Sequence, residues 1–119
     1  MGFDNYVVGA ICHELKNLLL GGRIERIYQP GPEELILCIR RFNLLISAGA
    51  SRPLIYLADS REAGPGNPPA FCMLLRKYLI GARFENIEQA PRERILRFDF
   101  RTSNELGLNE EKSLIFELM

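Results

Sequence analysis

The sequence is poor in groups that do chemistry on their own. It holds one histidine, His13, and three cysteines, Cys12, Cys38 and Cys72. One histidine leaves no plausible Ser/His/Asp set. The metalloprotease pattern HExxH, the phosphate loop GxxxxGK[ST] and the dinucleotide fingerprint GxGxxG are all missing. A non-catalytic domain is expected, with no catalytic residue, no metal and no cofactor. The cysteines show no CxxC spacing, and each lies in an apolar run, as buried free thiols do. Reduced thiols point to a cytoplasmic protein and away from a disulfide framework. His13, flanked by Cys12 and Glu14, reads as a structural helix residue.

Long apolar runs are missing too. Nothing approaches the roughly 18 residues that a membrane-spanning helix needs. Residues 1–20 carry Asp4, Glu14 and Lys16 inside their apolar stretch, so no signal peptide is expected. Net charge is the third absence, with 15 cations against 15 anions. A neutral chain of this kind should bind nucleic acid only weakly through charge alone, although a local patch remains compatible with it. Twelve of the cations are arginine, the residue that forks onto carboxylates and phosphates.

What the chain does have is an internal repeat. Leu15–Gln29 reads LKNLLLGGRIERIYQ and Leu75–Gln89 reads LRKYLIGARFENIEQ, with seven of fifteen pairs identical at an offset of sixty. Each copy runs from an apolar-striped helix through glycine into a strand. Two copies are too few for a solenoid. One compact domain with approximate twofold symmetry is expected over residues 1–119. At this length a chain buries roughly two thirds of the surface it exposes unfolded, enough for a true core.

Periodicity supplies the elements. Val7, Ile11, Leu15, Leu18 and Leu19 form a helical stripe over residues 4–20, with Asp4 as N-cap and Gly21-Gly22 as the stop. Strands are predicted at 23–29, 35–40, 42–47 and 54–57. The second of these is apolar on both faces and should be a covered central strand. Residues 58–69 read as a loop. A second helix starts at Asn67 or one of the two prolines after it, with Phe71, Leu74, Leu75, Tyr78 and Leu79 as its stripe. Strands follow at 82–89 and 94–101, the latter pointing Leu96, Phe98 and Phe100 inward. A polar loop over 102–111 and a strand at 113–119, with Leu114, Phe116 and Leu118 inward, complete the chain. Hairpin spacing implies antiparallel sheets, and two amphipathic helices must cover apolar surface. The predicted fold is α+β: a two-sheet antiparallel β-sandwich flanked by two pseudosymmetric helices. Met119 falls within a strand-like pattern, and the chain is expected to be the N-terminal piece of a longer protein.

The densest polar constellation is Pro91-Arg92-Glu93-Arg94, at the turn between the strands at 82–89 and 94–101. A turn showing a carboxylate beside guanidiniums can fork a phosphate and accept from a ribose hydroxyl. It can equally pair with itself and solvate the turn. Arg97, Arg76 and Lys77 are further candidate nucleic-acid contacts.

These residues carry a family likeness. Asp4, HEL at 13–15, GGRIxxIYQP at 21–30, LLISA at 44–48, NPPxFCMLLRK at 67–77 and the segments around Glu88-Gln89 and Arg94-Ile95-Leu96 resemble the N-terminal domain of the NFACT family, whose members are also described as fibronectin-binding protein A-like. The likeness covers essentially the whole chain. It implies a module of a ribosome-associated quality control factor. Such factors bind large ribosomal subunits obstructed by peptidyl-tRNA, recruit tRNA and promote C-terminal tailing of the stalled chain, with alanine in bacteria. It implies a fold resembling the N-terminal domain of formamidopyrimidine-DNA glycosylases. It also implies tRNA-binding residues: an Asp near the N-terminus, matched by Asp4, and an Asp-Arg pair in the later hairpin, matched by Glu93-Arg94 with Glu for Asp. Two further departures are Gly49-Ala50-Ser51, where the family has His-Pro-Ser, and a shorter hairpin at 40–44. Glycosylase chemistry is not implied, since residue 2 is Gly2 and no proline precedes Pro30. The alternative reading is a fibronectin-binding surface adhesin.

Overall fold

A computed structural model describes residues 5–47, 54–58, 68–89, 95–103 and 105–117, with residues 5–8, 54, 56 and 58 described by their backbone. Two helices and seven strands occur among them: α1 (Asn5–Leu19), β1 (Ile24–Tyr28), β2 (Glu34–Ile39), β3 (Phe42–Ser47), β4 (Leu54–Ala58), α2 (Ala70–Leu79), β5 (Arg83–Gln89), β6 (Ile95–Ser103) and β7 (Asn109–Glu117). β1-β2-β3-β4 form one antiparallel sheet and β5-β6-β7 another. The α+β class, two antiparallel sheets and two helices, agrees with the pattern of the sequence. Neither helix is long and apolar enough to cross a membrane.

The repeat is built into the backbone as an interlock. Arg23 and Arg83, equivalent residues of the two copies, face each other in an isolated antiparallel bridge between the edges of the two sheets. Four hydrogen bonds surround it in reciprocal pairs. Gly21 N–H donates to the Phe84 carbonyl at 3.0 Å, and Gly81 N–H donates to that of Ile24 at 2.8 Å. Ile24 N–H donates to Ala82 at 2.9 Å, and Phe84 N–H donates to Gly22 at 2.8 Å. An approximate twofold axis therefore passes between Arg23 and Arg83. Gly21 and Gly81 reach this geometry because both sit at φ near +80° (81° and 84°), where a Cβ would be strained.

The helices are exchanged across that axis. α1 packs on β5, and α2 packs on β1. Cys12, Leu15 and Leu19 of α1 and Cys72, Leu75 and Leu79 of α2 enter one shared core with Ile24, Ile27, Phe84, Ile87, Phe98 and Phe100. Phe84 meets Phe98 and Phe100 edge-on, with ring centroids 6.2 and 6.0 Å apart. All three cysteines are buried thiols that form no disulfide with one another. Burial raises the Cys12 thiol pKa, with Lys16 pulling weakly the other way.

Several expectations hold in detail. β2 is buried along Leu35–Ile39 and lies between β1 and β3, a covered central strand. Leu96, Phe98 and Phe100 point inward. Two differ. The stripe of α2 is only half used: Leu75 and Leu79 are buried, while Phe71, Leu74 and Tyr78 stay about half exposed (50, 51 and 45%). The buried face is rotated toward Cys72, for a reason given below. The polar loop expected over 102–111 is shorter at both ends, since Thr102 pairs with Glu110 and Ser103 with Asn109, and β7 starts at Asn109. Polar residues are tolerated there because one face of this edge hairpin is solvated and backbone ladder bonds need no apolar side chain. Asp4, Asn67 and Leu118 lie outside the described residues.

Candidate nucleic-acid interface

The family-motif positions Asp4, Glu93 and Arg94, with Arg92 beside them, lie outside the described residues. The elements leading to them are described, and they meet. β5 ends at Gln89, paired with Leu96 of β6. α1 begins at Asn5, one residue after Asp4. Its Gly9 faces the same end: a Cβ there would lie 3.8 Å from Gln89 Oε1. The exchange of helices is what brings the start of α1 to the hairpin of the other copy.

The remaining candidates occupy three different environments. Arg76 is a structural clamp. Its Nε donates to the Ile27 carbonyl at 2.9 Å, and its guanidinium lies 5.8 Å from the Tyr28 ring centre. Cys72 Sγ donates to the same carbonyl at 3.7 Å. Together they fix the rotation of α2 on β1, and this is why Phe71, Leu74 and Tyr78 fall to the rim. Lys77 is exposed, its Nζ 5.4 Å from the Tyr78 ring. Arg97 is held by two carboxylates, Glu88 Oε2 at 2.8 Å and Asp99 Oδ1 at 3.0 Å. The hydrogen bond to Asp99, followed by the charge of that carboxylate, raises the Arg97 pKa above its ordinary value. Asp99 is nine-tenths buried and also accepts from Ser113 Oγ at 2.8 Å, so the ensemble is anchored to the sheet. His13 is exposed on α1. Among the described residues no three His, Cys, Asp or Glu side chains are placed to hold a metal.

The clamp makes a prediction that separates structure from binding. Arg76→Ala should lower stability by about 1.5–3 kcal/mol, the range for a hydrogen bond to a charged group. A thermal melt checks it. RNA affinity of the folded variant should change little, because the guanidinium is already occupied.

Sequence reasoning overlooked one constellation. Arg23, Arg83 and Arg101 line a common cleft of about 320 Å³ beside the pseudo-twofold axis. The repeat did mark Arg23/Arg83 as an identical pair. Only the pairing of strands shows that the two stand face to face.

Comparison with known proteins agrees with this geometry. A family model described as NFACT N-terminal and middle domains matches residues 4–119. A Bacillus subtilis protein named Rqc2 homolog RqcH is 37% identical over 123 residues, covering all of this chain and 22% of its own length. The solved N-terminal domain of the fibronectin-binding protein PavA from Streptococcus pneumoniae superposes with a TM-score of 0.92 at 39% identity, covering 99% of this chain and 46% of its own. The N-terminal part of the fibronectin/fibrinogen-binding protein of Streptococcus suis gives 0.93 at 38% identity, covering 99% and 46%. The chain thus spans about a fifth of the length of that curated relative (22%). With the repeat interlock, the exchanged helices and a family model running from residue 4 to 119, this chain belongs to the NFACT family.

Proposed function

We propose that the chain serves as a tRNA- and large-ribosomal-subunit-binding module of a bacterial ribosome-associated quality control factor. The whole factor would engage large subunits blocked by peptidyl-tRNA and support C-terminal tailing of the stalled chain. The observation carrying this is similarity, over the whole of this chain, to the part it matches of a protein named Rqc2 homolog RqcH. The approach of Gly9 of α1 to Gln89 at the end of β5 supports it, since these are the described elements next in sequence to the proposed tRNA motif positions, Asp4 and Glu93-Arg94. Glu93 keeps the carboxylate on a longer arm, so Glu93→Asp is expected to retain binding. The proposed role is cytoplasmic and non-catalytic. The sandwich likeness to formamidopyrimidine-DNA glycosylases is part of the proposal, but their chemistry is not.

Affinity purification of the longest natural form of the protein tests it. Large subunits and tRNA should be enriched, and Asp4→Ala with Arg94→Ala should cut tRNA recovery at least about tenfold, as loss of charge-assisted phosphate and hydroxyl contacts predicts. Undiminished recovery of both would sink the site assignment. A second reading, fibronectin binding at the cell surface, is favoured by the similarity to the solved domains of proteins named fibronectin-binding and fibronectin/fibrinogen-binding. Cell fractionation separates the two: a protein recovered wholly outside the cell would favour adhesion.

A further inference from the structure

We propose that the pseudo-twofold axis carries a second anion seat, for the phosphodiester backbone of RNA, formed by Arg23, Arg83 and Arg101. It rests on the RNA-binding reading above and concerns residues outside the Asp4 and 90–94 motif.

Strand pairing sets the geometry. Arg23 opposes Arg83 across the bridge, and Arg83 opposes Arg101 across the β5–β6 ladder. Three arginines therefore share one face on adjacent strands, whose backbones lie about 4.8 Å apart. Like charges placed directly opposite destabilise a sheet. The row is only partly neutralised. Glu85 Oε1 is shared between Arg101 at 2.9 Å and Arg83 at 3.5 Å. Glu111 opposes Arg101 from β7, at the far end of the row. Arg23 has a neutral partner, its Nη1 donating to the Gly81 carbonyl at 3.0 Å, and it forms no ion pair among the described residues. Positive charge is thus concentrated at the Arg23–Arg83 end.

The surroundings are those of an anion site. The cleft of about 320 Å³ is lined also by Thr102, Ser103 and Asn109, which add hydroxyl and amide donors. Arg40 is the counterpart of Arg101 across the axis, with its guanidinium at the end of α1 and not among the residues lining the cleft. It follows Ile39, which pairs with Ile24, as Arg101 follows Phe100, which pairs with Phe84. Its Nη2 donates to the Leu20 carbonyl at 2.8 Å, at the end of α1. Planar guanidiniums in a row fork onto successive phosphate oxygens, and that fits a nucleic-acid backbone better than an isolated carboxylate. No base edge is read here, so the seat positions RNA without selecting sequence.

The test uses labelled tRNA and the longest natural form of the protein over a series of salt concentrations. Arg23→Gln with Arg83→Gln should weaken binding about tenfold or more at low salt and flatten the slope of log affinity against log salt by about 1.4–1.8, the value for two lost phosphate contacts. Glu85→Gln, which removes the one carboxylate bonded within the row, should act the other way and tighten binding about threefold or more. A folded Arg23/Arg83 variant with wild-type affinity and slope overturns the proposal. So does a Glu85→Gln protein that binds no more tightly, which keeps the test decisive if the double variant fails to fold. Loss of binding in the Asp4/Arg94 variant alone would leave the module reading standing and remove only this seat. Absence of any RNA binding by the wild type would remove both.

Discussion

Replacing Phe84 with alanine should cost about 3–5 kcal/mol, the range for emptying a buried phenylalanine site. Phe84 is fully buried and touches both sides of the aromatic core, Phe98 at 6.2 Å and Phe100 at 6.0 Å. It also occupies the axis: its N–H and carbonyl bond the Gly22 carbonyl and Gly21 N–H of the other copy. Alanine keeps those backbone bonds and removes the ring, so the loss is a cavity at the joint between the sheets. Against a usual total of about 5–15 kcal/mol, that is a large fraction of the stability. Urea denaturation should show a strongly reduced midpoint. Phe84→Leu, which fills most of the volume, should cost less than about 1.5 kcal/mol, the range for volume-conserving swaps. Ile115→Ala, on an exposed side chain of β7, should stay within about 0.5 kcal/mol. If Phe84→Ala and Ile115→Ala proved equally mild, the shared core would be misdescribed.

Gly22→Ala should destabilise by about 1–3 kcal/mol through overpacking. A Cβ at Gly22 would lie 2.7 Å from Ile39 Cγ2 and 2.8 Å from Arg40 Cγ. Ile39 is fully buried and has no direction in which to retreat. Arg40 has little freedom, because its backbone sits at φ 57° and its guanidinium is bonded to the end of α1. The equivalent residue of the second copy is Ala82, fully buried and accommodated. The converse change, Ala82→Gly, should therefore cost only about 0.5–1 kcal/mol from backbone entropy. Thermal melts of the two single variants measure the difference. A Gly22→Ala protein as stable as wild type would mean that the two halves pack alike, contrary to the structure.

Much of this was legible in the residues. The seven identities between Leu15–Gln29 and Leu75–Gln89 announce two equivalent units. Leu96, Phe98 and Phe100 declare the inner face of β6 by strict alternation, and the apolar run of β2 declares a covered strand. Helix rotation was less legible. An apolar stripe fixes how wide the buried face can be, but a polar tether fixes where within it contact falls. On α2 that tether is the bonding of Arg76 and Cys72 to one carbonyl of β1. The chemistry of individual arginines was least legible. Arg76 and Arg97 look alike on paper as candidate nucleic-acid contacts. One holds a helix to a strand, and the other is closed between Glu88 and Asp99.

The sequence by itself determined two copies of a helix-to-strand unit, their order along the chain, the inward aromatics Phe98 and Phe100 and the family likeness. Tertiary structure alone decided that each helix covers the strand of the other copy, and that Arg23 meets Arg83. The reason is physical. Local periodicity encodes which side of an element is apolar, because side chains differ. Pairing across sixty residues is made by backbone N–H and carbonyl groups, which are the same at nearly every position. Only the closure of one shared core selects the partner, and with it the row of arginines on the outer face.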